Sequence, residues 1–260
     1  MHINDILSIG SGGLVGFALG LLGGGGSILA VPLLIYVVGM KDTHLAIGTS
    51  ALAVAANAFA NLIAHGRAGN VKWPCATVFA ISGVAGAAAG AALGKTVDGG
   101  KLLFLFGIVM VAVAFAMLHP RTAVSGDPNV RITPAIAARL IGIGVIVGLL
   151  SGFFGIGGGF LIVPAIMLGS GMAMLNAVGS SLVSVGAFGL TTAISYAVAG
   201  LVDWRVAGFF ILGGIIGGAA GTALAGRLAA ERALLTRIFA GAVLAVAAFV
   251  LWRSAPGFFG

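Results

Sequence analysis

The sequence predicts an all-α polytopic membrane protein with about eight hydrophobic segments, arranged as two homologous four-segment repeats. The first reason is composition, because 60% of the 260 residues are hydrophobic and only 7% are charged, against about 25% charged residues in a soluble domain. The second is a series of apolar runs that each reach the roughly 20 residues needed to cross a bilayer. The third is a helix-breaking glycine cluster that occurs twice, once in each half.

The apolar segments follow one another along the chain with short polar connections. They cover residues 6–38, 44–64, 73–94, 102–118, 136–170, 174–199, 206–226 and 234–252. The first and the fifth are too long for one ordinary span, and each contains a glycine cluster followed by a proline. Because glycine is about 1 kcal/mol worse than alanine inside a helix, we expect the first helix of each repeat to break at its cluster.

The glycine clusters are the predicted substrate site. A broken helix exposes N–H groups that carry partial positive charge and bind anions without a charged side chain. The second half-helices are expected to begin near Ser27 and Phe160, and the two breaks to meet near the membrane midplane around one anion. The predicted substrate contacts are Gly24, Gly25, Gly26, Ser27, Gly157, Gly158 and Gly159. Structural or gating roles are predicted for Gly23, Pro32, Gly155 and Pro164.

The two halves of the chain are predicted to be repeats. A shift of 132 residues places Pro32 on Pro164, and a shift of 131 places Trp73 on Trp204. The predicted organisation is a first repeat at 1–118, a linker at 119–134 and a second repeat at 135–260. The sequence allows parallel or inverted repeats. We prefer inverted repeats, because each half would cross the membrane three times if its long first segment turned back as a hairpin.

Small residues at four-residue spacing predict close helix contacts. These are Gly86, Gly90 and Gly94 in the third segment and Gly213, Gly217 and Gly221 in the seventh. Such spacing forms a flat surface against which another helix can pack closely in a membrane. Trp73 and Trp204, each at the start of a segment beside a charged residue, are predicted to be interfacial anchors.

Polar residues follow the glycine clusters in the next segment of each half. The predicted substrate contacts there are Gly48, Thr49, Ser50, Asn57, Gly179, Ser180 and Ser181. The hydroxyl groups are expected to donate to the same anion, with bonds back to their own helix as the alternative. Asn57 is included because an amide in lipid needs a partner. Its counterpart is Phe188, so the predicted site is not chemically symmetric.

Several function classes are excluded by what the sequence lacks. The six acidic residues lie in or beside predicted loops, whereas a cation pump normally buries a carboxylate in the membrane. No Ser-His-Asp grouping, HExxH motif or Cys/His cluster occurs, so we predict no enzyme, no metal site and no cofactor. The scattered Lys and Arg residues do not form a nucleic-acid face, and they suit contact with membrane lipid.

The motifs taken together resemble the TauE/SafE family of membrane permeases, the sulfite exporter family. The matching motifs are Gly23–Ser27 with Pro32, Ala46–Ser50 and Gly69–Trp73, repeated as Gly155–Gly159 with Pro164, Ala177–Ser181 and Gly200–Trp204. The resemblance implies a multi-pass transporter of the bacterial inner membrane, built from two four-segment repeats. It also implies sulfite, sulfonates or related organosulfur anions as substrates.

The predicted mechanism is alternating access around one central anion site. The alternatives are a channel-like pore, a permease for another small anion such as a carboxylate, and a non-transporting membrane scaffold. A coupling ion (proton or sodium) and a homo-oligomer are compatible with the sequence, which specifies neither.

Overall fold

The computed structural model describes residues 3–118, 126–127, 130–155, 159–227 and 232–259. Within these ranges the regular secondary structure is helical. The elements are α1 Ile3–Leu22, a 3₁₀ segment Gly23–Leu29, α2 Ala30–Tyr36, α3 Thr43–Arg67, α4 Trp73–Gly94, α5 Gly99–Leu118, α6 Pro134–Phe154, α7 Gly159–Ser170, α8 Met174–Val198, α9 Trp204–Arg227 and α10 Arg232–Phe259.

Length and composition allow six of the described helices to cross a membrane. They are α1, α3, α4, α6, α8 and α9, while α2, α5, α7 and α10 contain shorter apolar stretches. The chain is therefore a multi-pass membrane protein, as its composition predicted. Trp73 and Trp204, the first residues of α4 and α9, are 52% and 67% exposed, which fits the predicted interfacial anchors.

The first long segment is a hairpin, not one span with a break. A Cβ atom added at Gly26 would overlap the α1 backbone at Ala18 and Leu19, so the 3₁₀ segment folds back against the helix that precedes it. Leu33 and Val37 then share a surface groove with the N-terminal half of α1. The chain therefore runs along α1, turns in the 3₁₀ segment and returns through α2.

The fifth segment forms a second hairpin. Its first arm, α6, ends at Gly155, which has a left-handed φ of 67°, a conformation that glycine adopts without steric cost. The second arm, α7, returns far enough for Gly169 to lie beside Leu140 and Ile143 near the start of α6. The sequence located both interruptions and left a break or a turn back as alternatives, and the structure forms two antiparallel arms in each segment.

Glycine faces hold the outer helices together. Added Cβ atoms on α1 at Gly12, Gly16 and Gly20 would overlap the α9 backbone, and on α6 those at Gly148 and Gly152 would overlap the α4 backbone. The facing helices return the contact through Gly213, Gly217 and Gly221 toward α1, and through Gly86, Gly90 and Gly94 toward α6. The predicted small-residue faces are thus confirmed. In both pairs, later residues of one helix contact later residues of the other, so the paired helices are parallel.

Helices α3 and α8 form the centre of the molecule. Gly186 packs against Phe59, whereas Gly189, one turn later on α8, packs against Ala51 and Ala55. Because numbers rise on one helix as they fall on the other, α3 and α8 are antiparallel. Around them α4 contacts α8, α9 contacts α3, and α5 contacts α10.

Candidate substrate site

The first glycine cluster and Gly155, the described edge of the second, lie toward opposite ends of α3. Gly155 contacts Ile47, in the second turn of α3. The first cluster follows Gly20, which contacts Thr222, and Thr222 in turn bonds to Asn61 toward the other end of α3. Gly155 therefore lies away from the first cluster along α3, while the 3₁₀ segment and α7 pack against each other.

The first cluster stays helical instead of opening. Its residues Gly23, Gly24, Gly25, Gly26 and Ser27 all belong to the 3₁₀ segment, and α2 begins at Ala30, not near Ser27. A 3₁₀ helix bonds each N–H to the carbonyl three residues back, which gives partners within the chain to groups that an abrupt break would leave open. Pro32 lies in the first turn of α2, a position that proline tolerates.

The second cluster is described only at its two edges. Gly155 closes α6 by donating its N–H to the carbonyls of Gly152 and Ser151, and Gly159 opens α7 as expected from the sequence. The predicted contacts Gly157 and Gly158 lie outside the described residues. Pro164 lies inside α7, where its ring removes one helical hydrogen bond.

Thr49 and Ser180 each hold a loop of the other half of the chain. Thr49 Oγ1 accepts the N–H of Asp203 at 2.9 Å, and Ser180 Oγ accepts the N–H of Lys72 at 2.9 Å. Both acceptors lie near the N-terminus of a central helix, and both donors directly precede an outer helix. We refer to these two contacts as the loop bonds, and they occupy hydroxyl groups that were predicted to contact substrate.

Gly48 and Gly179, which directly precede these two hydroxyl residues, let the loops approach the central helices closely. A Cβ atom at Gly48 would overlap the carbonyl of Leu201, and one at Gly179 would lie 2.8 Å from the carbonyl oxygen of Asn70. Gly48 and Gly179 therefore have a packing role in this conformation, since any side chain would push the loop away from the central helix.

The remaining predicted hydroxyls bond back to their own helices. Ser50 Oγ donates to the Ile47 carbonyl at 2.9 Å, and Ser181 Oγ donates to the Val178 carbonyl at 2.8 Å. This is the alternative expected for hydroxyls in apolar helices. Ser50 Oγ also lies 3.4 Å from the Gly155 carbonyl oxygen, so it connects α3 to the turn of the second hairpin.

Among the predicted contacts, Asn57 stands out because both polar atoms of its side chain are free to bind a ligand. Its side chain is fully buried near the middle of α3, and neither Nδ2 nor Oδ1 has a hydrogen-bond partner. The amide lies against Gly214 of α9, where a Cβ atom would overlap it. The neighbouring Asn61 is satisfied, because its Nδ2 donates to the Asn57 carbonyl and its Oδ1 accepts from Thr222.

Several buried hydroxyl groups without a hydrogen-bond partner were not predicted as site residues, and they include those of Thr192 and Tyr196 on α8. Ser151 on α6 and Ser184 on α8 are 1% and 0% exposed, and neither hydroxyl has a hydrogen-bond partner. Ser184 lies one helical turn after Ser181, so a search at i+3 spacing could have found it. Ser151 carries no such signal, because its burial depends on how the hairpin packs.

The described residues place no Lys or Arg side chain in the buried region around Asn57. The buried carboxylate of Asp5 pairs with Arg205 at 2.9 Å near the N-termini of α1 and α9. No group of three or more described His, Cys, Asp or Glu residues could hold a metal ion. The arrangement can therefore bind a ligand through neutral donors and acceptors.

Breaking either loop bond should destabilise the protein. We expect Thr49→Val and Ser180→Ala each to lower the unfolding free energy by about 1–3 kcal/mol, because a backbone N–H loses its partner. Thermal unfolding of the purified protein in detergent measures the effect. Thr191→Val is the matched control, because Thr191 bonds only to the carbonyl of Ala187 on its own helix. Equal stability of all three variants would contradict the role of the loop bonds.

A known family matches most of the chain. The family model described as "Sulfite exporter TauE/SafE" matches residues 8–250. No solved structure matches the chain.

Relatives of this chain come from several organisms. A "Probable membrane transporter protein" of Xylella fastidiosa strain 9a5c is 53% identical over 96% of this chain and 95% of its own length. A protein of the same description from Methanocaldococcus jannaschii is 32% identical over 75% of this chain and 71% of its own length. The similar Bacillus subtilis protein YunE is 28% identical over 82% of this chain and 85% of its own length. The chain therefore belongs to the sulfite exporter TauE/SafE family of membrane transporters.

Proposed function

We propose that the protein is a permease that moves a small sulfur-containing anion, such as sulfite, a sulfonate or a related organosulfur anion, by alternating access across a bacterial inner membrane. The observation that carries the proposal is the fully buried, unpartnered amide of Asn57 near the middle of α3. A buried polar side chain without a partner is costly, and polar residues retained within membrane helices are usually functional. The substrate class is supported by the description of the matching family.

The substrate site is proposed to extend from Asn57 to the polar groups predicted from the sequence. These are Gly24, Gly25, Gly26, Ser27, Gly48, Thr49, Ser50, Gly157, Gly158, Gly159, Gly179, Ser180 and Ser181. In the present conformation Thr49, Ser50 and Ser181 donate to carbonyls of their own helix. Substrate binding at these positions would exchange those bonds for bonds to the anion, which requires movement of the hairpins.

The chain is proposed to consist of two inverted repeats. Support comes from contacts that recur in corresponding places, since α1 packs on α9 as α6 packs on α4, and the two loop bonds link equivalent residues. The antiparallel direction of the equivalent helices α3 and α8 supports inversion. Inverted repeats provide alternating access because exchanging the conformations of the two halves exposes the site to the opposite side.

The hairpins and the loop bonds are proposed to form the two gates. The 3₁₀ segment and Gly155 lie toward opposite ends of α3, and each loop bond joins the N-terminal part of one central helix to the loop before one outer helix. Opening one end would require one loop bond to break while the other persists. Gly23, Pro32, Gly155 and Pro164 lie in or beside the turns and would act as hinges.

Three alternatives make different predictions. A channel-like pore would give flux that neither saturates nor depends on a proton or sodium gradient. A carboxylate permease would bind small carboxylates in preference to sulfur anions. A non-transporting scaffold would bind no small anion and would tolerate substitution in the glycine clusters.

A ligand panel tests the proposed function. Purified protein is heated with sulfite, thiosulfate, sulfonates or small carboxylates, and a true ligand should raise the unfolding free energy by about 2.7 kcal/mol at a hundred times its dissociation constant. We expect stabilisation by sulfur anions and saturable flux of the same anions into proteoliposomes. Stronger stabilisation by carboxylates would overturn the substrate class.

A further inference from the structure

The Asn57 side chain has one open donor group and one open acceptor. Both Nδ2 and Oδ1 lack partners, and the side chain is 0% exposed. Because both atoms lack partners, the side chain has an unpartnered donor and an unpartnered acceptor whichever way the amide is oriented. The next asparagine on the same face, Asn61, has bonds from both of its polar atoms, so of these two amides only that of Asn57 lacks partners.

The position of Asn57 agrees with a ligand site. With a rise of about 1.5 Å per residue, Asn57 lies about 21 Å from the N-terminal end of α3 and about 15 Å from its C-terminal end. Gly214 leaves room for the amide against α9, and the counterpart Phe188 packs on Phe79 with ring centroids 6.2 Å apart. One half of the molecule thus presents a polar group where the other presents an aromatic ring.

The surroundings favour a ligand of low charge. No described Lys or Arg side chain is buried, so no cation at this depth offsets the charge of a bound anion. Transferring a charged group out of water is costly without such compensation, and the cost increases with charge. A monoanion is therefore favoured over a dianion.

We propose that Asn57 recognises a monoprotonated oxyanion, a group that carries an O–H and a charged oxygen on the same central atom. Nδ2–H donates to the charged oxygen, and Oδ1 accepts the ligand O–H. The O–H form of hydrogensulfite has this chemistry, and so does hydrogenselenite. This inference rests on the proposed function and specifies which form of the anion its site binds.

A ligand comparison on the wild-type protein tests the inference directly. Affinities are measured by calorimetry for sulfite, for selenite and for methanesulfonate, a monoanion of similar size without an O–H group. We expect sulfite and selenite to bind at least about tenfold more tightly than methanesulfonate, since one buried hydrogen bond would be missing. Equal or tighter binding of methanesulfonate would overturn the inference and leave a sulfonate permease as the function.

A variant pair tests the role of the residue. Asn57→Leu should weaken sulfite binding about tenfold or more and remove the preference over methanesulfonate. Ser8→Ala is the control, because Ser8 is also fully buried but donates to the Asn4 carbonyl of its own helix at 2.6 Å. A folded Asn57→Leu protein with unchanged sulfite affinity would refute the inference.

The outcomes separate the two proposals. If Asn57→Leu does not fold, the wild-type ligand comparison decides alone. If the wild-type protein binds none of the three anions and no other sulfur anion, the proposed function fails and the inference fails with it. If it binds sulfur anions without a preference for the O–H form, only the inference fails.

Discussion

Gly148→Leu is expected to destabilise the folded protein strongly. A Cβ atom at this position would overlap the backbone of Gly83, which is the close contact between α6 and α4. Backbone atoms cannot move aside as a flexible side chain can, so the two helices must separate. Because association of membrane helices depends on such packing, we expect a loss of about 3 kcal/mol or more, at the upper end of overpacking effects.

The same helix provides a matched control for this prediction. A Cβ atom at Gly142, on α6, would meet nothing within 4 Å, so Gly142→Leu should retain near wild-type stability. The counterparts in the first half are Gly16, which contacts Gly214, and Gly10, which has open space. Gel filtration in detergent and thermal unfolding measure all four variants. Similar stability of Gly148→Leu and Gly142→Leu would contradict the close contact.

Gly155→Ala is expected to abolish transport. Gly155 has a φ of 67°, and a non-glycine residue in this region costs roughly 1–2 kcal/mol. In addition, the new Cβ atom would overlap a methyl group of Ile47 on α3. The turn of the second hairpin would then be pushed away from the central helix, next to the proposed site. Flux in proteoliposomes is the measurement, with protein amount as the reference.

Two further variants separate backbone strain from the contact. Gly171 has a similar φ of 73° but open space around its Cβ position, so Gly171→Ala carries the strain without the overlap and should keep most of the flux. Ile47→Ala removes the overlapping methyl group and should restore part of the flux to Gly155→Ala. If Gly155→Ala and Gly171→Ala behave alike, the contact with Ile47 has no role in transport.

The sequence was informative about local structure because local structure depends on nearby residues. The limits of α3 and α4 were predicted within a few residues, since long apolar runs bounded by polar residues fix membrane helices. Asp42 closes the N-terminus of α3 by accepting the N–H groups of His44 and Leu45, as expected for an aspartate in that position. The glycine faces were also correct, because four-residue spacing places small residues on one side of a helix.

Predictions about the site were less complete, because a side chain's bonding depends on its neighbours in space. Thr49 and Ser180 were predicted to contact the anion, yet in this conformation they accept backbone N–H groups from loops more than 100 residues away. Asn57 was selected because an amide in lipid needs a partner, and the structure adds that both polar atoms lack one. Ser151 was missed, since its burial arises from packing between helices.

The sequence by itself determined the membrane class, the family resemblance, the two glycine interruptions and the surfaces where helices approach closely. All of these follow from composition and from spacing along the chain. Only the tertiary structure decided between a broken span and a hairpin for each long segment, and showed that α3 and α8 are antiparallel and that the first cluster and Gly155 lie toward opposite ends of α3. The physical reason is that glycine permits a turn without fixing its direction, so the packing of the surrounding helices selects where the chain goes.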